Sequence, residues 1–202
     1  MFGLPWLMSF FHQDAHHTGS TPAAIVTYHF VEELDPEEVL LVRRDAQQLA
    51  DGLDADENAA VWKSCADSGP TFYQVAGAED ASAWMRQVVD LCDAWLSRRT
   101  PPRHLPPADQ YDGPELAGQV TALLREVRHH LAPKMADTLE KTVGSCTPDL
   151  AFRLLVHALP NARQVSHRAA ITAEQYTSFV ELAAAFDYGE YALSDLDAVF
   201  DG

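Results

Sequence analysis

A short run near the N-terminus holds the densest group of side chains that could bind a metal ion. His12, Asp14, His16 and His17 lie close together, and their H-x-D-x-H spacing can bring nitrogen and oxygen ligands around one transition-metal ion. This interpretation predicts a metal-dependent enzyme that loses activity when the histidines are replaced. The alternative is a polar turn, in which Asp14 or Thr18 accepts hydrogen bonds from backbone N–H groups. Because no second, distant set of ligands accompanies the run, we favour the turn.

Other residues with catalytic potential lack the partners that catalysis requires. The sequence contains neither a G-x-S-x-G nucleophile motif nor a glycine-rich phosphate loop. His129 and His130 stand near a predicted helix end, where interaction with the helix dipole is enough to explain them. Cys65, Cys92 and Cys146 are too scattered for a disulfide framework or a zinc site, and the first two fall at apolar helical positions. We therefore predict a protein that is not an enzyme and has no catalytic residue, metal or cofactor.

The balance of charge indicates a basic partner. The 202 residues include 30 acidic side chains against 14 lysines and arginines, for a formal net charge of −16. Residues 1–100 hold 16 acids and 6 bases, and residues 101–202 hold 14 and 8, so the first half is the more acidic. Such a field repels phosphate backbones and attracts positively charged proteins. It argues against direct binding of nucleic acid.

The apolar N-terminal run, residues 1–11, lacks the features of an export signal. It has no leading lysine or arginine and no small-residue cleavage site, and His12 and Asp14 end it. The three cysteines also do not form the paired pattern of an oxidised, exported domain. We therefore expect a cytoplasmic protein with no membrane partner.

Proline and acidic residues predict a series of helix starts in the first half. A Ser-Thr-Pro segment at 20–22 predicts a helix that runs to about Glu33, and an Asp-Pro-Glu-Glu segment at 35–38 predicts a second helix that ends near Gly52. Apolar residues three and four apart give the second helix one buried face: Val39, Leu40, Val42, Ala46, Leu49 and Leu53. Two more helices are predicted over 54–65 and 80–96, with inward residues Trp62, Trp84, Val88, Leu91 and Trp95.

A proline-rich stretch separates the two halves. Residues 98–114 contain five prolines and no apolar periodicity, which predicts a surface linker between a domain of residues 1–97 and a second domain of residues 115–202. No segment in either half shows the alternation of a strand. The predicted fold class is therefore all-α, with two small helical modules joined by the linker.

The second domain shows its own helix signals. A helix is predicted over 115–131, and proline residues predict two further starts at Pro133 and at Thr147-Pro148. Thr172 and Gln175 have the spacing of a capping box, which predicts another helix after them. A last short helix is predicted from Leu193, Leu196, Val199 and Phe200.

The motifs of the first half resemble one protein family in their order and spacing. The segment Phe10-Phe11-His12-Gln13-Asp14 precedes the Ser-Thr-Pro start at 20–22, Phe30, the Asp-Pro-Glu-Glu start at 35–38 and a helix that carries Trp84. This series resembles the immunity proteins of contact-dependent growth inhibition systems, the CdiI-type helical family, over about residues 8–96. The resemblance implies a helical protein that binds the toxin domain of a contact-delivered effector and blocks it.

The second half has a weaker resemblance to a related class. Leu150-Ala151-Phe152 and the segment Ile171-Thr172-Ala173-Glu174-Gln175-Tyr176 are similar to a Leu-Ala helix and a later Thr-x-Glu-x-Tyr-like helix of MafI-type immunity proteins. Both halves therefore imply the same function.

The leading hypothesis is an immunity protein, or antitoxin, that binds and neutralises the cognate C-terminal toxin domain of a bacterial contact-dependent or polymorphic toxin system. A basic toxin such as a nuclease fits the acidic charge, because opposite charges steer association. The alternative is a helical adaptor or regulatory protein whose partners are not toxins. The predicted toxin interface consists of acids at the inferred helix ends: Glu32, Glu33, Asp35, Glu37, Glu38, Asp51, Asp54, Asp56 and Glu57.

Overall fold

Helices form the regular structure in the described part of the chain. An isolated parallel bridge between Ile171 and Phe200 is the one pairing of extended backbone found there. The all-α prediction is therefore confirmed. The chain divides into two compact units, Phe2–Gln110 and Tyr111–Gly202. The computed structural model describes residues 3–12, 15–17, 19–66, 76–99, 111–166, 170–189 and 192–200.

Side-chain caps begin the helices of the first unit. The backbone N–H of Ala24 donates to the hydroxyl of Thr21 at 3.2 Å, and that of Glu37 donates to Asp35 at 3.1 Å. Each cap satisfies an N–H group that has no partner within its own helix. The predicted starts of the second and third helices are confirmed. The helices of this unit are α1 Leu4–Met8, α2 Pro22–His29, α3 Pro36–Gly52, α4 Ala55–Cys65 and α5 Ala81–Leu96.

The helix predicted from the Ser-Thr-Pro segment is shorter than expected, because α2 ends at His29 and not near Glu33. The indole N–H of Trp95 donates at 2.8 Å to the backbone carbonyl of residue 30. The guanidinium of Arg99 donates to the carbonyls of residues 31 and 32. These tertiary hydrogen bonds give partners to carbonyl groups that lie beyond the end of the helix. The backbone can therefore leave the helix after His29 without losing partners.

The buried faces of α3 and α5 pack together at the centre of the first unit. The predicted faces are confirmed except at Leu40 and Leu91, which are half-buried. Leu41 is buried in place of Leu40, on the side of α3 that also carries Asp45 one helical turn later. The buried residues of the two helices include Val39, Val42, Ala46, Leu49, Trp84, Val88, Cys92 and Trp95.

The apolar N-terminal run contributes a short helix to the core, which sequence analysis did not predict. Most residues of α1 are buried. Its first backbone N–H, that of Leu4, donates at 2.9 Å to the carboxylate of Asp45, which has no exposed surface. A carboxylate is favourable at this end of a helix because the dipole is positive there. Trp6 on α1 packs edge-on against Phe10, with ring centroids 4.9 Å apart.

The second unit surrounds one central helix. A short 3₁₀ turn, Pro114–Leu116, leads into the first α-helix of the unit, and a second 3₁₀ turn, Arg128–His130, follows it, so the predicted helix over 115–131 is divided into three pieces. The predicted starts near 133 and 148 are confirmed, and so is the capping box of Thr172 and Gln175. The helices are α6 Ala117–Val127, α7 Pro133–Ser145, α8 Pro148–Ser166 and α9 Ala173–Ala185, and a 3₁₀ helix spans Ser194–Ala198.

The central helix is α8, against which α6, α7 and the last 3₁₀ helix pack. Apolar side chains cover most of its circumference, which is typical of a helix enclosed by others. No helix among the described residues has the length and apolar character of a membrane-spanning segment. The buried apolar residues of α8 are Leu150, Ala151, Phe152, Leu154, Leu155, Val156, Ala158 and Leu159.

The end of the predicted linker, residues 98–114, belongs to the second unit, which begins at Tyr111. Its residues 100–110 lie outside the described part of the chain. Tyr111 contacts Phe186 edge-on, with ring centroids 6.2 Å apart. Gly113 has a φ of +64°, and a Cβ atom there would lie 2.4 Å from the Phe186 ring. Position 113 therefore requires glycine, both for its backbone conformation and for the approach of the ring.

Candidate functional site

The acids of the predicted interface fall into two groups at opposite ends of α3. Residues 32–38 precede and open the helix, and residues 51–57 extend from its last turn into the first turn of α4. Asp51 is fourteen positions after Glu37, which corresponds to roughly 20 Å along a helix. A single small surface of a partner therefore contacts one group of acids more closely than the other.

Three of the predicted interface residues have structural roles as helix caps. Asp35 caps α3, as described above. Asp54 and Glu57 form a reciprocal capping box at the start of α4, with N–H to carboxylate distances of 2.9 and 2.8 Å. Glu57 is buried, so it is not available to a partner. Exposed carboxylates with no capping role are Glu32, Glu33, Glu38, Asp51 and Asp56.

The first group forms what we call the acidic surface: Glu32, Glu33, Asp35, Glu37 and Glu38. Glu37 is half-buried and the other four are exposed. The loop that carries the first three is fixed to the end of α5, because Arg99 lies 3.2 Å from the ring centroid of Trp95 and donates to the carbonyls of Val31 and Glu32. The acidic surface is therefore held in place by tertiary contacts.

An apolar groove adjoins the acidic surface. It has a volume of about 450 Å³ and lies between α2 and the end of α5. Tyr28 and Val31, which neighbour groove residues in the sequence, are large apolar side chains with 60% and 48% exposure. The predicted core residue Leu91 is half-buried because it forms part of this groove. The groove is lined by Thr27, Phe30, Leu91, Ala94, Trp95, Ser97 and Arg98.

A stacked histidine lies on α2 close to the groove. The ring of His29 is parallel to that of Phe10, with centroids 3.7 Å apart. Burial lowers the pKa of His29, and the nearby His12 lowers it further. His29 is therefore neutral near pH 7 and does not offset the negative charge of the acidic surface.

Of the candidate metal ligands near the N-terminus, the structure describes the side chains of His12 and His17. His12 and His17 are exposed, and Asp14 lies outside the described residues. Among the residues that are described, no group of three or more histidine, cysteine, aspartate and glutamate side chains has the arrangement of a metal site. His16 lies in a short 3₁₀ turn of residues 15–17.

The second unit contains a buried polar cluster that sequence analysis missed. Asp149 and Arg153 on α8 form an ion pair, with the guanidinium donating to one carboxylate oxygen at 3.1 and 2.7 Å. The hydroxyl of Tyr188 donates to the other oxygen. His157 continues the same face of α8 one turn later and is buried, as is His130, which sequence analysis placed at an ordinary helix end. The only sequence signal was the i, i+4 spacing of opposite charges within an apolar helix.

The cysteines Cys65 and Cys92 lie in the core, as predicted. Burial raises the pKa of both thiols well above the usual value, so thiolate is scarce at neutral pH. We expect both to resist alkylation at pH 8 in the folded protein and to react after unfolding. Cys146, which is half-buried, is expected to react first. Peptide mapping by mass spectrometry after timed alkylation tests the order, and rapid labelling of Cys65 in the native protein would contradict the packing described here.

Comparison with known proteins adds no relative. No protein-family model, no curated protein and no solved structure matches this chain. The resemblances to CdiI-type and MafI-type immunity proteins therefore remain predictions from sequence motifs.

Proposed function

We propose that this protein is an immunity protein that acts by binding, not by catalysis, and neutralises the cognate toxin domain of a bacterial contact-dependent or polymorphic toxin system. The observation that carries the proposal is the acidic surface next to an apolar groove within the first unit. Protein interfaces commonly combine an apolar centre with a polar rim. The sequence motifs of residues 8–96 support the same assignment.

The charge of the chain supports a basic toxin as the partner. The segment from Glu32 to Glu57 contains ten acids and two arginines. Of these arginines, Arg43 is paired with Asp93, so its charge is locally offset. A toxin that binds nucleic acid needs a basic surface, and a strongly acidic inhibitor gains association rate and complementarity from such a surface.

The first experiment tests immunity directly. The gene immediately upstream of this one is identified, and the C-terminal domain of its product is expressed in bacteria with and without this protein. Growth of the two cultures is compared. The same domain, inactivated by mutation, is titrated with the full chain by calorimetry. The proposal expects rescue of growth and a dissociation constant of about 1 nM or tighter, which corresponds to about 12 kcal/mol of binding free energy. Absence of toxicity, rescue and binding would overturn the proposal and favour an adaptor whose partners are not toxins.

Charge reversal at the acidic surface is expected to slow association with the toxin. The variant Glu32→Lys with Glu38→Lys should lower the association rate constant by about tenfold or more at low salt, because local steering is lost. It should also weaken the dependence of that rate on ionic strength. Stopped-flow measurements over a series of salt concentrations provide the test.

The matched control reverses the same amount of charge at the other end of α3. The variant Asp51→Lys with Asp56→Lys changes two exposed carboxylates, and each pair includes one acid from the first turn of a helix. The control should retain most of the association rate because only the overall charge changes. Equal rate losses in both variants would show that net charge alone steers binding and that the acidic surface is not the interface.

A further inference from the structure

We infer that the groove between α2 and α5 is the anchoring site of the interface, and that it receives one large apolar side chain from a basic segment of the toxin. This inference rests on the proposed function and specifies which chemistry the toxin must present. In most protein interfaces a few buried anchors supply most of the binding energy, and charges on the rim mainly affect rate and specificity.

The surface of the groove is suited to an apolar group. Its two hydroxyl side chains bond back to their own helices: Thr27 donates to the carbonyl of Ala23 at 2.8 Å, and Ser97 donates to that of Ala94 at 3.0 Å. Neither donor proton is therefore directed at a ligand. Phe30, Leu91, Ala94 and Trp95 supply the apolar walls. A volume of about 450 Å³ is near the lower end of the range for pockets that enclose small ligands, and it is sufficient for one large side chain.

The wall formed by Trp95 is fixed before any partner binds. Its indole N–H donates to the carbonyl of Phe30, its ring contacts that of Phe30 edge-on at 6.2 Å, and Arg99 covers a face of it. The Trp95 side chain is 2% exposed. A site that is already ordered loses little conformational entropy on binding, so contacts in it contribute more to affinity.

The charges around the groove define the rest of the toxin segment. Among the described residues, the guanidinium of Arg98 at the rim has no hydrogen-bond or ion-pair partner, whereas that of Arg99 donates to three backbone carbonyls. The acidic surface begins two residues after Phe30, in the loop between α2 and α3, and continues into the first turn of α3. The fitting segment therefore carries an apolar side chain, with basic residues toward the acidic surface and a carboxylate or carbonyl oxygen toward Arg98.

The test is a substitution that fills the groove with a large side chain of this protein itself. The variant Ala94→Trp places an indole on an exposed position of α5 that lines the groove. Binding of the inactivated toxin domain encoded upstream is measured by surface plasmon resonance for this variant, the wild type and the control Ala184→Trp, which adds the same side chain at an exposed position of α9. Circular dichroism and the monomer mass of each free variant are recorded first.

We expect Ala94→Trp to weaken binding at least a hundredfold through faster dissociation, with the association rate and its salt dependence little changed. The control should bind as the wild type does. If the wild type binds the toxin and Ala94→Trp binds equally well, the groove is not the anchor and the proposed function stands. If the wild type neither binds the toxin domain nor rescues growth, both the groove inference and the proposed function are wrong. A free wild-type dimer that Ala94→Trp converts to monomers would assign the groove to a second copy of this chain and overturn the inference.

Discussion

Replacement of Arg153 by methionine is expected to destabilise the second unit by about 3–5 kcal/mol, because it leaves the carboxylate of Asp149 buried without its cation. The side chains of Arg153 and Asp149 are only 4% and 9% exposed, so water cannot replace the lost partner. Asp149→Asn should be destabilising for the reciprocal reason, although its amide oxygen can still accept from Tyr188. The loss is measured by urea unfolding, followed by circular dichroism.

The double variant, Asp149→Asn with Arg153→Met, separates the ion pair from the packing of the helix. It removes both charges, so we expect its loss of unfolding free energy to be smaller than the sum of the losses in the two single variants. The four tryptophans all lie in the first unit, and their fluorescence therefore reports on that unit alone. The change should appear in the circular dichroism transition. If the losses of unfolding free energy are additive in the double variant, or if each single loss is below about 1 kcal/mol, the two residues are not a coupled buried pair.

Local signals predicted the helices of this chain because they act over a few residues. The proline after Thr21 and the carboxylate of Asp35 begin their helices through contacts within one turn, so sequence spacing is enough to identify them. The end of α2 could not be predicted in the same way. It depends on Trp95 and Arg99, which are more than sixty residues away in the sequence.

The same distinction explains the outcome at the candidate site. Sequence analysis identified the acids at helix ends, but a carboxylate at a helix start can serve the helix or a partner, and spacing does not distinguish the two roles. Asp54 and Glu57 bond to each other's backbone, whereas Glu32 and Glu38 are exposed. The groove could not be found from sequence, because Leu91 has the spacing of a core residue and its half-exposure depends on where α2 lies.

Buried polar residues were the hardest to place. Asp45 lies on the buried side of α3, where a charged residue is ordinarily unexpected, and it is compensated by the N–H of Leu4, forty-one positions away. The buried pair of Arg153 and Asp149 is a similar case. The two residues are one helical turn apart, but the Tyr188 hydroxyl that also donates to Asp149 is distant in sequence. In both cases the compensating group is supplied by the tertiary fold.

Replacement of Trp84 by alanine is expected to destabilise the first unit by about 3–5 kcal/mol, since a large side chain is removed from a packed core. Trp84 has no exposed surface. Its ring meets that of Trp62 edge-on at 5.4 Å and that of Phe11 at 6.3 Å, so the substitution also removes two aromatic contacts. The remaining tryptophans allow urea unfolding to be followed by fluorescence.

The matched control is Trp6→Ala, because Trp6 is half-buried and makes an edge-on contact with Phe10. It removes the same side chain from the same unit but leaves a smaller cavity, so its cost should be clearly lower. Trp84 on α5 contacts Phe11 of the N-terminal motif segment, and both residues are among those that carry the family resemblance. If Trp84→Ala and Trp6→Ala cost the same, the aromatic cluster is not the centre of this core, and the motifs that include Phe11 and Trp84 must be explained by something other than packing.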